Sequence, residues 1–111
     1  MVSSQEKNAI VITCSCPSHD EAAAIARMLL AEKLIACAQL SAPVRSLYWW
    51  QGALCDENEV IVTMTSLASL YPRIEQAILA QHSYEVPAIV AWPLTMVSPA
   101  YLAWLIEVVD A

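Results

Sequence analysis

The stretch Leu47-Tyr48-Trp49-Trp50-Gln51-Gly52 sets three consecutive aromatics just ahead of the only glycine in the chain. Side chains alternate between faces along a strand, so Tyr48 and Trp50 share one face and Trp49 takes the other. A covered aromatic of this size buries about 150–250 Å². Apolar weight on both faces demands cover on both faces. A chain of 111 residues supplies one layer of helices, so the second layer is expected from another copy of itself.

Composition points the same way. Hydrophobic residues make up 59% and charged residues 14%, against about 45–50% and about 25% in ordinary globular domains. No run approaches the ~20 apolar residues of a membrane span; the Ala/Leu-rich run from Ala22 is broken by Arg27, Glu32 and Lys33. The surplus is therefore assigned to subunit contacts, and no membrane partner is expected. The net charge is −6, and Lys7, Arg27, Lys33, Arg45 and Arg73 are scattered. Without a basic stripe there is no footprint for nucleic acid. Residues 1–8 are polar and carry no signal core, which predicts a flexible start and a cytoplasmic protein. Cys14, Cys16, Cys37 and Cys55 then read as reduced thiols. A single glycine excludes phosphate-cradling loops and dinucleotide fingerprints, and neither a nucleophile elbow nor HExxH is present. No enzyme activity is expected.

Residues 9–14, Ala-Ile-Val-Ile-Thr-Cys, form a β-branched run read as a central strand. Ser18 and Glu21 stand at capping-box spacing after Pro17. A helix follows to about Lys33, with Ala22, Ile25, Ala26 and Leu29 on its inner stripe. One long strand is expected from Ala36 through Trp50, then a hairpin turn at Gln51-Gly52-Ala53, Gly52 supplying a positive φ. The return strand covers residues 56–65. Leu67, Leu70, Tyr71, Ile74 and Ile78 recur at helical spacing to about Gln81, with Pro72 near the start. A strand at 88–92 precedes Ser98-Pro99, which cap and open a last helix to about Val109. That helix is apolar nearly all round and predicts burial on more than one side. Met64 and Met96 read as core.

The order β-α-β-β-α-β with an extra C-terminal helix is the ferredoxin-like arrangement of α+β proteins, one domain over residues 9–111. Its two central helices cover one sheet face, and the central hairpin is long enough to project toward a neighbour.

His82-Ser83-Tyr84-Glu85-Val86-Pro87 is the densest polar cluster. It reads either as a binding loop or as a helix end with an anchoring tyrosine. Cys14 and Cys16 alternate onto one face, where either thiol meets His82 as a soft-metal ligand or packs as a small hydrophobe. Two thiols without a second Cys/His pair do not make a closed zinc site. Asp56, Glu57 and Glu59 form an acidic run beside the turn.

Six segments together carry a family likeness: residues 10–15 (Ile-Val-Ile-Thr-Cys-Ser), 31–38 (Ala-Glu-Lys-Leu-Ile-Ala-Cys-Ala), 46–52 (Ser-Leu-Tyr-Trp-Trp-Gln-Gly), Glu59-Val60, 82–87, and 101–105 (Tyr-Leu-Ala-Trp-Leu). In this order, over nearly the whole chain, they resemble the CutA family of divalent-cation tolerance proteins. The resemblance implies a homotrimer of ferredoxin-like subunits, similar in architecture to PII-type signalling proteins. It implies a role in metal-ion tolerance or signalling, with no required cofactor and with copper or another divalent cation as ligand. Carried onto this chain, Cys14 and His82 become candidate metal ligands. Trp50, Glu59, Tyr84 and Glu85 become candidate walls of a ligand pocket, and Tyr48, Trp49, Trp50 and Trp104 candidate trimer contacts. The expected partners are other copies of the chain and a metal ion or small ligand. The competing reading is a structural protein whose trimer anchors partner proteins without binding metal.

Overall fold

One strand of fifteen residues, Ala53–Leu67, runs the length of the molecule. At about 3.3 Å per residue such a strand extends ~50 Å, which matches the long dimension of 49 Å. The computed structural model describes residues 8–109, and all but one of the other strands bond to this one. Among the described residues the order is β1 (Ala9–Cys16), α1 (His19–Ala31), β2 (Cys37–Leu40), β3 (Val44–Trp50), β4 (Ala53–Leu67), α2 (Tyr71–Gln81), β5 (Ile89–Pro93) and α3 (Pro99–Val108). A 3-10 turn, Ala68–Leu70, leads into α2. The sheet runs β2-β4-β1-β5, with β3 on the far stretch of β4. Every pairing is antiparallel. This is the ferredoxin-like α+β arrangement with its additional C-terminal helix.

The expected single strand from Ala36 to Trp50 is divided. Pro43 has no N–H to give a ladder, and residues 41–43 leave the strand. Ser41 bridges the gap: its N–H donates to the Ile61 carbonyl, and its Oγ accepts from the Ile61 N–H, both at 2.9 Å. The β3–β4 turn is tighter than expected. Trp50 pairs with Ala53, and both intervening residues have positive φ, 50° at Gln51 and 78° at Gly52. That is the type I′ geometry which suits the twist of a hairpin. The return strand consequently starts at Ala53.

α1 stops two residues before Lys33, in a Schellman motif. Lys33 stands at φ 58°, its N–H reaches the Leu30 carbonyl, and the Leu34 N–H reaches the Leu29 carbonyl, both at 3.0 Å. Leu29 and Leu34 are both buried, the apolar contact that usually closes this motif. At the other ends the expected caps hold. Ser18 Oγ accepts from the Glu21 N–H at 3.2 Å and Ser98 Oγ from the Tyr101 N–H at 3.3 Å.

The core lies between α1, α2 and one sheet face. Ile12, Cys14, Cys16, Val62 and Met64 point into it beside Ile25, Leu29, Ile74 and Ile78. The opposite face carries Val11, Thr13, Ile61, Thr63 and Thr65, all half-buried. α3 covers it at one end, where Tyr101 Oη lies 2.8 Å from Thr65 Oγ1. α3 fully buries only Leu105, so its all-round apolar surface is not enclosed by the rest of the described residues. Met96, expected in the core, is 91% exposed, because it falls in the loop before α3. Of the expected flexible start, residues 1–7 lie outside the described residues. Asn8 is tied down, its carbonyl accepting from the Ala68 N–H at 2.8 Å.

Two positive-φ positions give opposite expectations. A Cβ at Gly52 would meet nothing within 4 Å, so Gly52→Ala pays only backbone strain and should lower stability by about 1 kcal/mol. Lys33→Gly relieves the same strain and should raise it by up to about 1 kcal/mol. Guanidinium unfolding of the two variants beside the parent measures both.

Candidate metal centre and acidic cleft

The C-terminal end of β1 meets the end of α2, and the chemistry collects at that junction. β1 alternation puts Cys14 and Cys16 on the core side, opposite Val62 and Val60 of β4. His82 ends α2, its N–H still bonded to the Ile78 carbonyl at 2.8 Å, and its ring turns in under β1. Its Nε2 lies 2.8 Å from the Ser15 carbonyl and its Nδ1 3.0 Å from the Tyr84 amide nitrogen. An amide only donates and a carbonyl only accepts, so the ring carries its proton on Nε2. The side chain is fully buried.

The ligand atoms of Cys14, Cys16 and His82 all lie within 4.8 Å of one another. The two thiols are not equivalent. Cys14 is held well above the ordinary thiol value by its hydrogen bond to Cys16 and by burial. Cys16 is lowered, because its thiolate accepts that bond, against the opposing effect of burial. The first proton of the pair therefore leaves more easily than the second.

Glu21 of α1 secures the loop after His82. Its Oε2 accepts from the N–H and the Oγ of Ser83, each at 3.0 Å, and lies 3.4 Å from His82 Nδ1. The capping-box spacing of Ser18 and Glu21 is thus half used for capping: the serine caps α1, while the carboxylate reaches across to the 82–87 loop. That role for Glu21 was not legible from spacing alone.

Above the centre, between the β3–β4 hairpin and residues 83–88, lies a cleft of about 800 Å³. Trp50, Glu59, Tyr84 and Glu85, the four expected pocket residues, all line it. Tyr48 and Trp50 face it because alternation sets them with Cys55 and Glu57 on one side of the hairpin. Ser15 joins the two sites, its carbonyl held by His82 while the residue also lines the cleft. Tyr84 Oη donates to Glu59 Oε2 at 3.0 Å, and the Tyr84 ring packs against His82 with centroids 4.9 Å apart. Burial and then that bond to a carboxylate push the Tyr84 phenol above its ordinary value. Of the expected trimer contacts, Trp49 is 73% and Trp104 41% exposed, while Tyr48 and Trp50 belong to the cleft wall.

A family model described as CutA1 divalent ion tolerance protein matches residues 10–108. This chain belongs to the CutA1 family. It is 35% identical over 98 residues to the divalent-cation tolerance protein CutA of Pyrococcus horikoshii, covering 88% of this chain and 95% of that one. The Thermus thermophilus protein of the same name is 33% identical over 97 residues, covering 87% and 94%. Among solved structures, CutA1 from Oryza sativa superposes with a TM-score of 0.91 at 27% identity, covering 96% of this chain and 98% of that one. CutA1 from Shewanella sp. SIB1 gives 0.90 at 34% identity, covering 94% and 97%. The matched residues 10–108 span both the cysteine–histidine junction and the hairpin that walls the cleft.

In this CutA1 chain the hydrogen-bonded Tyr84 makes a pH prediction. A phenol that keeps its proton above the ordinary 10.0 in the folded state adds stability that is full below that pH. The contribution is lost as pH rises through the folded value. Unfolding free energy should fall as pH climbs above about 10, and Tyr84→Phe should make the fall shallower. Guanidinium unfolding at a series of alkaline pH values measures the slope, and an unchanged slope would mean that Tyr84 ionises unhindered.

Proposed function

We propose that this CutA1 protein is a cytoplasmic, non-enzymatic homotrimer that contributes to divalent-cation tolerance by holding copper at Cys14, Cys16 and His82. The observation that carries the reading is the gathering of three ligand atoms within 4.8 Å. Two thiols and an imidazole form a soft donor set, suited to copper, above all Cu(I), and ill suited to magnesium or calcium, which take oxygen ligands. One change is required of the protein. Both ring nitrogens of His82 are engaged, and a ligating nitrogen needs its lone pair. Releasing Nδ1 deprives the Tyr84 amide of its acceptor, so occupancy of the centre and the shape of the 82–87 loop are linked. This link supports a PII-like signalling role, in which the loop and cleft report the state of the centre. Because the ligating sulfurs must lose protons, affinity rises with pH.

Anaerobic titration with Cu(I) in competition with a chromogenic chelator tests the centre. Cys14→Ser, Cys16→Ser and His82→Ala should each weaken binding by about tenfold or more. Unchanged affinity in all three would remove these residues as ligands. Sedimentation at micromolar concentration should give three chains per particle, and a monomer would overturn the trimer.

A second reading has its own observation. Leu47, Trp49 and Leu54 are exposed together on the side of the hairpin away from the cleft, a surface that would suit a partner-anchoring protein. Trp49→Ser should abolish capture of such a partner while the trimer persists. Dissociation of the trimer instead would assign this surface to subunit contact.

A further inference from the structure

The acidic cleft carries chemistry that the cysteine–histidine centre does not use. Among the described residues its charged lining is Glu57, Glu59 and Glu85, with no Lys, Arg or His. Glu59 is 5% exposed. Its carboxylate accepts one hydrogen bond, from Tyr84 Oη at 3.0 Å, and makes no salt bridge among the described residues. A carboxylate offers about four acceptor positions, and burying its charge without a cation is costly. The site is thus complementary to a positive charge.

The walls select the kind of cation. Tyr48 and Trp50 stand on one side and Val86 and Pro87 on the other. A small hydrated metal ion gains little from hydrocarbon walls. An organic cation gains burial of its carbon chain and attraction of its charge to the aromatic faces. The volume of about 800 Å³ lies within the ~300–1,000 Å³ usual for small-molecule sites. Tyr84 directs its one O–H at Glu59, so the phenol oxygen and the carboxylate together present acceptors. That favours a primary ammonium group, with three N–H donors, over a quaternary one, with none.

We propose that this cleft binds a primary alkylammonium ion, its charged head on Glu59 and its chain along Tyr48 and Trp50. Glu57 and Glu85 on the same lining offer further negative charge, so a diamine binds more tightly than a monoamine of equal chain length. The site shares the 82–87 loop with the copper centre but uses none of the three copper ligands, Cys14, Cys16 and His82.

Calorimetry on the intact assembled protein, with 1,5-diaminopentane, n-pentylamine, tetramethylammonium and Mg²⁺ as probes, tests the proposal. Tryptophan fluorescence followed in parallel reports on Trp50. The expected order is diamine, then monoamine, with little response to tetramethylammonium or Mg²⁺. Glu59→Gln should weaken the diamine about thirtyfold or more, and Trp50→Leu about two- to fivefold. Cys14→Ser should leave amine binding intact while weakening Cu(I), which separates this site from the metal reading. No heat from either amine at millimolar concentration would overturn the proposal. Equal diamine affinity in Glu59→Gln, or Mg²⁺ binding in preference to both amines, would also do so.

Discussion

β4 is the constraint on which the structure turns. β1, β2 and β3 all bond to it, and among the described residues no other strand spans both the core and the projecting hairpin. Its burial changes abruptly along its length. Residues 53–58 are exposed or half-buried, whereas from Glu59 the core-facing positions are closed. Glu59 and Val60 are the point where a solvated ribbon becomes a central strand. A straight, uninterrupted β4 is what brings an acidic hairpin face up to the loop that follows α2. The cleft exists because one strand serves two environments without a break.

The second dependency is the loop that His82 fastens. The imidazole ties Ser15 of β1 to Tyr84, and Glu21 of α1 ties Ser83. Three elements, β1, α1 and the loop after α2, are thereby joined through two side chains, His82 and Glu21. Buried polar groups hold position only when their partners are supplied, and no buried side-chain nitrogen or oxygen among the described residues lacks one. The thiols of Cys14 and Cys16 are therefore the components of the centre with coordination capacity to spare. The imidazole is both structural pin and potential ligand. This dual role makes any occupant of the centre compete with the loop geometry, and the loop is also a cleft wall.

Much of this was legible in the chain. The β-α-β-β-α-β order followed from periodicity and punctuation, because caps at Ser18 and Ser98 and the turn at Gly52 are local signals with local causes. The pocket residues Trp50, Glu59, Tyr84 and Glu85 were named from polar clustering and family likeness, and they converge on one cleft. What escaped were the interactions that depend on a distant partner. Ser41 replacing a lost ladder position is visible only once Ile61 lies opposite. Glu21 carries a capping pattern, yet its carboxylate finds Ser83, sixty-two positions along the chain. Lys33 occupies a left-handed position where glycine is usual, because Leu29 and Leu34 bury together and hold the turn. Met96 was assigned to the core by its hydrophobicity, which says nothing about a loop that runs outward before Pro99.

The aromatic block that first distinguished the chain divides its work according to strand alternation. Trp49 shares its side of the hairpin with Leu47 and Leu54, an apolar surface left largely exposed among the described residues. Tyr48 and Trp50 look the other way, into a cleft whose lining includes Glu57, Glu59 and Glu85. A protein seeking only subunit contact would gain nothing from setting aromatic rings beside Glu57 and Glu59, whose desolvation opposes apolar packing. The same rings become useful where a ligand carries both a positive charge and a hydrocarbon chain. Apolar excess on one face and aromatic–acidic pairing on the other are thus two separate solutions on one ribbon, one suited to assembly and the other to recognition.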